Sequence, residues 1–233
     1  MTYTEYPQLE QGTDEWLQAR CGILTASVIG KLITDKTCKP ASNPVSRSVT
    51  RSLAAERITG HIEPVYVTDD MWRGTLDEPI ARDLYRDHYA TPRGQCVTEI
   101  GFMTRDDDGP VIGFSPDGLV DTDGLIEVKS RKQRKQVETI VSGLVPIENY
   151  AQLQTGLYVS GRDWIDYISY CGGMPMWIKR VYPEPRWFDA IIATARQFEA
   201  NVDSIIQTYA SEVEGLVMTE RREEGDALEI KVA

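Results

Sequence analysis

The chain has 233 residues, 41% of them hydrophobic and 26% charged, which is the usual composition of one soluble globular domain. Its formal net charge of -11 argues against nucleic-acid binding through total charge, because phosphate binding depends on Lys and Arg. No stretch approaches the ~20 apolar residues of a membrane helix and no secretory leader opens the sequence, so we expect a single domain over residues 1–233 in the cytoplasm, with no membrane partner.

Two short helices are predicted near the N-terminus, in a locally basic segment. Thr13 precedes two acidic residues, as at a helix start, and Thr25 to Ser27 opens the second helix. The hydroxyls of Thr25 and Ser27 are most simply helix caps; alternatively this N-terminus, with Arg20 nearby, holds a phosphate. Residues 20–60 carry seven basic side chains and two acidic ones, which favours an anionic partner for this part of the chain.

A further helix is predicted over residues 72–89, with Ile80, Leu84 and Tyr85 on one side. Pro79 disturbs the early part of this helix, because proline lacks the backbone donor and clashes one turn back. Glu78 therefore lies beside a helix start or kink, where a carboxylate can be aimed at a site. The alternative is an acid of the first helical turn that the helix dipole stabilises.

The most informative stretch is a predicted hairpin over residues 113–130. Asp117 lies in a turn beside a Pro and a Gly, and Glu127 and Lys129 follow on a strand. Because side chains alternate along a strand, Glu127 and Lys129 share one face, and Ile126 and Val128 point into an apolar layer. A short polar reversal brings Asp117 back against Glu127. Two carboxylates and an ammonium are then expected in one small volume.

Two carboxylates held close together are unfavourable unless a cation lies between them, and oxygen ligands suit Mg2+ or Mn2+. Lys129 beside that ion can orient or help deprotonate a water and balance charge on a phosphate oxygen. A Glu-x-Lys pair alone arises by chance about once in a chain of this length. Its combination with Asp117 is much rarer. The four cysteines are far apart and there are only two histidines, so neither a zinc site nor a histidine base is indicated.

The distribution of charge refines the argument from total charge. Residues 129–135 carry five cations directly after the proposed metal site, whereas the chain from residue 199 onward carries nine acidic residues and three basic ones. A basic rim around the site with an acidic exterior is compatible with DNA inside and solvent outside, and a charged tail is expected from about residue 215. The alternative for residues 129–135 is the solvated start of a helix.

The remaining predicted elements are both helices and strands. On the helix over residues 149–159, Gln152 and Gln154 lie about 200° apart, so at most one of them can face a given partner. The predicted strands cover residues 97–103, 111–114, 125–128, 164–170 and 177–181. Further helices are predicted over residues 45–60 and 187–209.

These motifs together resemble the phage lambda-type alkaline exonucleases, viral recombinases of the PD-(D/E)XK nuclease superfamily. The resemblance runs from about Thr13 to Gly161. It rests on four signatures in the family's order: Trp-x-x-x-Arg-x-Gly-x-x-Thr-Ala-Ser ending at Ser27, Gly-x-x-x-Glu ending at Glu78, Ser-Pro-Asp-Gly over residues 115–118, and Glu-x-Lys at residues 127–129. It implies an α/β core with a restriction-endonuclease-like central mixed sheet flanked by helices.

The resemblance also implies roles for residues of the metal site. Asp117 and Glu127 would bind Mg2+, with Mn2+ able to substitute, together with the carbonyl of Val128. Lys129 would act on the water, and Glu78 would be an auxiliary carboxylate.

On the DNA side, the resemblance places Arg20, Thr25, Ser27 and Ser115 at positions that hold the 5′-phosphate or neighbouring backbone, which reverses the preference for caps. Helices within residues 13–60 would line this side. For the glutamines, the lambda-type pattern favours Gln152. The broader Gln-x-x-x-Tyr pattern of RecB-like nucleases would choose Gln154, and we prefer Gln152.

The implied function is a Mg2+-dependent 5′→3′ exonuclease that degrades one strand of linear double-stranded DNA from a 5′-phosphorylated end and leaves 3′ single strands. A single-strand annealing protein would be its partner, a ring-shaped homotrimer its assembly, and the host cytoplasm its location if a phage encodes it. Two alternatives stay open: a structure- or sequence-selective endonuclease of the same superfamily, and a non-catalytic DNA-binding or assembly protein.

Overall fold

The computed structural model describes residues 2–64, 66–107 and 109–221, which form two β-sheets flanked by helices. The strands are β1 Thr2–Tyr6, β2 Leu24–Thr25, β3 Val97–Thr98, β4 Phe102–Asp106, β5 Ile112–Phe114, β6 Gly118–Val120, β7 Gly124–Ser130, β8 Trp164–Tyr170 and β9 Trp177–Val181. The α-helices are α1 Asp14–Ala19, α2 Ala26–Ile29, α3 Pro44–Thr59, α4 Asp69–Tyr85, α5 Gln133–Ser142, α6 Ile147–Ser160 and α7 Pro185–Glu212. A π-helical turn over Arg86–Ala90 extends α4.

Both sheets are mixed. In the larger sheet the strand order is β3-β6-β7-β8-β9; β7 and β8 are parallel and the other neighbours are antiparallel. In the smaller sheet the order is β1-β4-β5-β2, and only β2 and β5 are parallel. The expected α/β class with a mixed sheet and flanking helices is confirmed, and the strands are divided between two sheets.

Strand β7 is buried from Gly124 to Val128, and Leu125, Ile126 and Val128 supply its apolar side chains. Ile126 and Val128 pack in a cluster with Tyr85 of α4, and Leu125 belongs to the larger core that includes α6 and α7. Glu127, between Ile126 and Val128 in sequence, faces away from the α4 cluster, as the period of two predicts. The central strand thus positions one carboxylate among apolar neighbours.

The predicted single strand over residues 97–103 is wrong. Val97–Thr98 belongs to the larger sheet, whereas Phe102 begins β4 in the smaller one. Gly101 separates them at a close backbone approach, where a Cβ would lie 2.0 Å from the carbonyl oxygen of Leu9. The sequence analysis also missed β1, a polar strand that pairs with β4, and the short strands β2 and β6.

Helix α4 begins earlier than predicted, because the Thr68 hydroxyl accepts a hydrogen bond from the Met71 N–H and caps it. Pro79 lies inside this helix without ending it. The expectation that Ile80 shares one side of the helix with Tyr85 is wrong, since Ile80 is 50% exposed whereas Tyr85 is buried. The buried positions are Ala81 and Tyr85, one turn apart.

The basic run over residues 129–135 ends β7 and starts α5, so the alternative of a helix start describes its local structure. Helix α7 ends at Glu212, and residues 216–221 of the predicted tail have no regular structure. Residues 222–233 of that tail lie outside the described residues. Within the described ranges, no helix has the length and apolar character needed to cross a membrane.

Candidate active site

The β6–β7 hairpin brings Asp117 and Glu127 to the same end of the larger sheet. Antiparallel pairing sets Gly118 opposite Ile126, so Asp117 reaches the carboxyl-terminal half of β7. Its Oδ2 accepts a hydrogen bond of 2.6 Å from the backbone N–H of Val128. The hairpin predicted from the spacing therefore forms, and Asp117 lies beside the residue that follows Glu127.

Glu127 is 2% exposed, and its two carboxylate oxygens differ in their hydrogen bonds. Oε1 accepts hydrogen bonds from Lys129 Nζ at 2.6 Å and from Gln152 Nε2 at 2.5 Å. Oε2 is buried, and it has no hydrogen-bond partner among the described residues. Since a buried carboxylate oxygen is strongly destabilising when unsatisfied, this atom fits a cation.

The electrostatics of the site favour the same interpretation. Burial, with additional repulsion from Glu127 and Glu78, holds the pKa of the Asp117 carboxyl well above its usual range. Burial alone would lower the pKa of Lys129, but the attraction of Glu127 and Asp117 outweighs it and raises that pKa. At neutral pH Lys129 is therefore an ammonium and a hydrogen-bond donor.

The donor set suits a hard divalent ion. Two carboxylates with a backbone carbonyl leave several positions for water and phosphate oxygens, as Mg2+ requires. Within the part of the chain that the structure describes, no group of three or more His, Cys, Asp or Glu side chains is arranged to hold an ion by itself. The residues that would hold Mg2+ or Mn2+ are thus Asp117 and Glu127, and the Val128 carbonyl stays a predicted third ligand.

Glu78 approaches this pair from α4. Burial raises the pKa of Glu78, and the charge of Glu127 adds to the shift while Arg82 opposes it. Arg82 Nη1 contacts Glu78 Oε1 at 3.1 Å and donates to the carbonyl oxygen of Asp117 at 2.8 Å; its Nη2 pairs with Glu99 at 2.9 Å. Sequence reasoning missed Arg82, although its i+4 spacing from Glu78 on a helix was a usable signal.

The two glutamines of α6 have different surroundings. Gln152 donates to Glu127, as described above, and so lies in the candidate metal site. Gln154 is fully buried; it donates to the Tyr182 carbonyl and accepts from the Glu184 N–H, both at 2.8 Å. The structure therefore places Gln152 at the carboxylates and Gln154 at the start of α7.

The four residues assigned to a phosphate also converge. Arg20 donates from Nη1 to Ser115 Oγ and from Nη2 to Ser27 Oγ, both at 3.2 Å. Ser27 Oγ lies 3.0 Å from Thr25 Oγ1. Thr25 makes no side-chain capping bond to α2, so its hydroxyl is available for another role. Trp16, which the sequence analysis did not assign to the site, donates to Ser115 Oγ at 3.0 Å.

The Arg20 guanidinium stacks on the Trp16 ring, 3.9 Å from its centroid, and forms no ion pair with an acid among the described residues. Burial lowers the pKa of Arg20 to about 10, with a smaller opposing effect from Glu56. The side chain is still cationic at neutral pH. A partly buried guanidinium held by neutral hydroxyls is a suitable site for an anion.

Comparison with known proteins identifies relatives of this chain. Residues 15–163 match the family model of the YqaJ-like viral recombinase domain. The crystal structure of an alkaline exonuclease from Laribacter hongkongensis aligns at 30% identity with a TM-score of 0.76, covering 88% of this chain and 100% of that one. The same enzyme in complex with dAMP aligns with a TM-score of 0.77. No curated protein sequence matches significantly.

A phage-related exonuclease from Haemophilus somnus 129PT has the same fold, with a TM-score of 0.58 at 13% identity over 80% of this chain and 96% of that one. The family model and the Laribacter match define an exodeoxyribonuclease with a PD-(D/E)XK-like fold, so the expected fold and enzyme class are confirmed. The chain belongs to the family of YqaJ-like viral recombinase domains.

Proposed function

We propose that this protein is a Mg2+-dependent 5′→3′ exonuclease that degrades one strand of linear double-stranded DNA from a 5′-phosphorylated end, with Mn2+ able to replace Mg2+. One observation carries the proposal: Ser115, which binds Arg20, is two residues from Asp117, which lies beside Glu127. A site for a terminal phosphate and a site for a divalent ion are therefore adjacent. The products would be mononucleotides and 3′ single-stranded overhangs for phage-type recombination.

When bound, the divalent ion would polarise the scissile phosphate and lower the pKa of a water molecule. Glu127 and Asp117 would hold it, and Gln152 keeps Glu127 in place through the bond to Oε1. Lys129, as an ammonium, would orient the attacking water and donate to the phosphate oxygen that gains charge. Glu78 would bind a water of the same site.

Arg20 would recognise the end of the strand. Its two outer nitrogens already donate to Ser115 and Ser27, so a 5′-phosphate would replace or join these hydroxyls as acceptor. The hydroxyls of Ser27, Thr25 and Ser115 can then turn to donate to the phosphate. This arrangement favours a terminal phosphate dianion over an internal phosphodiester, which carries one charge.

The assembly and the partner belong to the same proposal. An acidic protein stays on DNA more readily if copies of it form a ring around the duplex, and a homotrimer of this kind would act with a single-strand annealing protein in the host cytoplasm. Large apolar side chains are exposed at the end of α5, including Val141 at 79% and Leu144 at 66%, and would serve as contacts between copies. Light scattering after size exclusion tests the trimer.

The nuclease proposal is tested with three duplex substrates: 5′-phosphorylated linear, 5′-hydroxyl linear and covalently closed circular, each with Mg2+ and with a chelator. We expect Mg2+-dependent release of mononucleotides from the linear substrates, faster from the 5′-phosphorylated one, and no action on circles. Nicking of circles would favour the endonuclease alternative. Binding without cleavage of any substrate would favour the non-catalytic one.

A further inference from the structure

A second basic feature lies beyond the candidate metal site. An open cavity of about 560 Å3 follows the carboxyl end of β7, and its lining contains one acid, Asp77, and four cations. These cations are Arg73, Arg131, Lys132 and Arg134. The sequence analysis noted three of them only as part of the 129–135 run, and nothing in the function proposed above uses the cavity.

The strand order places this cavity and the Arg20 pocket on opposite sides of β7. Ser115 shortly precedes β6, which neighbours β7 on one side, and Cys171 and Gly172 of the cavity follow β8, which neighbours β7 on the other side. Because β6 is antiparallel and β8 parallel to β7, the start of β6 and the end of β8 lie at the same end of β7. The carboxylates of the candidate metal site therefore lie between the two basic features.

Arg131 differs from the other cations of the cavity. Arg73 and Lys132 both pair with Asp70, at 2.8 and 2.9 Å, and Arg134 lies 3.8 Å from Glu138. Among the described residues, Arg131 has no acidic partner, so its positive charge is not compensated by a neighbouring side chain.

Neutral groups fix the position of the Arg131 guanidinium. Its Nη2 donates to Asn149 Oδ1 and Tyr167 Oη, and its Nε lies 3.2 Å from the same Tyr167 oxygen. Tyr167 is fully buried, which makes it a rigid support. Nη1 has no hydrogen-bond partner in the described part of the chain. A guanidinium presents five N–H donors, so Arg131 is oriented and still has donors for an anion.

We propose that Arg131 binds the backbone phosphate on the 3′ side of the scissile one. This inference rests on the proposed function: with the 5′-phosphate at Arg20 and the scissile phosphate at Asp117 and Glu127, the strand continues across β7 toward the cavity. The retained part of the degraded strand is held there at each step. The ligand is a phosphodiester of DNA, recognised through its charge and not through its base.

The test neutralises one phosphate at a time. Duplexes with a 5′-phosphate carry a single uncharged methylphosphonate at the second, third or fourth linkage from that end, and the first cleavage is measured in a single turnover. For the wild type, we expect the second-linkage substitution to slow cleavage by about ten- to a hundredfold, the strength of a charge-assisted hydrogen bond. Arg131→Gln should slow cleavage of the unmodified duplex similarly and show no further loss at that linkage.

Arg86→Gln is the matched control. This residue follows α4, pairs with Asp83 and Asp87, and does not line the cavity, but the substitution removes the same charge. In Arg86→Gln, a methylphosphonate at the second linkage should slow cleavage as much as it does in the wild type. Arg131→Met keeps a long unbranched side chain without the charge and provides the same measurement if the Gln variant fails to fold.

Two negative results are distinguishable. In the first, the wild type cleaves DNA, but a methylphosphonate at the second linkage still slows cleavage by Arg131→Gln or Arg131→Met. The phosphate subsite is then refuted and the proposed function stands. If the wild type cleaves no duplex at all, the proposed function fails and the subsite fails with it. If Arg131→Gln removes the effect of a methylphosphonate at the third or fourth linkage and not at the second, the assignment is also overturned.

Discussion

Replacing Asp117 with Asn should stabilise the metal-free protein and abolish cleavage. The Asp117 carboxylate accepts a hydrogen bond from the Val128 N–H, and its pKa is raised by burial and by the charges of Glu127 and Glu78. Asn keeps an acceptor oxygen and removes the charge. A poorly satisfied buried polar group is unfavourable by about 1–3 kcal/mol. At about 2–4 °C per kcal/mol for a chain of this size, the melting temperature should rise by several degrees.

The assay is thermal unfolding in a chelator and in increasing Mg2+, together with single-turnover cleavage. At a concentration 100 times its Kd, Mg2+ should stabilise the wild type by about 2.7 kcal/mol and should not stabilise the variant. Asp121→Asn is the control: it lies in the same hairpin, accepts a hydrogen bond of 2.9 Å from the Cys96 N–H, and should keep the Mg2+ response. Equal stabilisation of Asp117→Asn by Mg2+, or near wild-type cleavage, would refute the assignment.

The same variant tests a pH dependence whose sign follows from the raised pKa. Between the unfolded and the folded pKa of Asp117, the native state binds more protons than the unfolded state. The stability of the metal-free wild type therefore falls as the pH rises through this window and stays lower above it. Asp117→Asn should lack this decline in urea unfolding at successive pH values. A constant difference in stability between the two proteins would contradict the argument.

Four further substitutions separate the roles of individual residues. Lys129→Met should lower kcat by about 10²- to 10³-fold, because a donor to the developing charge is lost, and should leave DNA affinity in Ca2+ near wild type by fluorescence anisotropy. Arg20→Gln should remove the preference for 5′-phosphorylated over 5′-hydroxyl ends; an unchanged ratio of cleavage rates would contradict the end-binding role. Gln152→Ala should slow cleavage with a smaller loss of stability, since Glu127 Oε1 keeps its hydrogen bond from Lys129. Gln154→Ala should instead lose about 1–3 kcal/mol in urea unfolding, because two backbone groups before α7 lose their partner.

The hairpin that carries Asp117 and Glu127 was predictable because the sequence patterns that specify it are local. Asp117 and Glu127 lie on one hairpin, so turn residues and strand periodicity are enough to bring them together. The Arg20 pocket is different. Arg20 and Ser115 are 95 residues apart, and they meet because Thr25 of β2 pairs with Gly113 of β5. A strand of two residues has no periodicity to detect, so only the family resemblance linked Ser115 to the residues near Arg20.

The errors have similarly specific causes. Ile80 is apolar and lies next to buried Ala81 on α4, but the helix presents Ala81 and Tyr85 to β7 and leaves Ile80 exposed. The break between β3 and β4 depends on the approach of Leu9 to Gly101, a tertiary contact that no local pattern records. The sequence showed Arg131 only as one cation of a basic run, because its neutral partners, Asn149 and Tyr167, come from α6 and β8.

The turn before Asp117 connects the Arg20 pocket to the candidate metal site, and N-terminal residues hold it in place. Gln11 donates to the carbonyl of Pro116 at 2.8 Å, and Trp16 donates to Ser115 Oγ while stacking on Arg20. Movement of this turn would displace Ser115 and Asp117 together. An end that fails to fill the Arg20 pocket would therefore also leave Asp117 less well positioned. Discrimination between DNA ends should consequently affect kcat and not only KM.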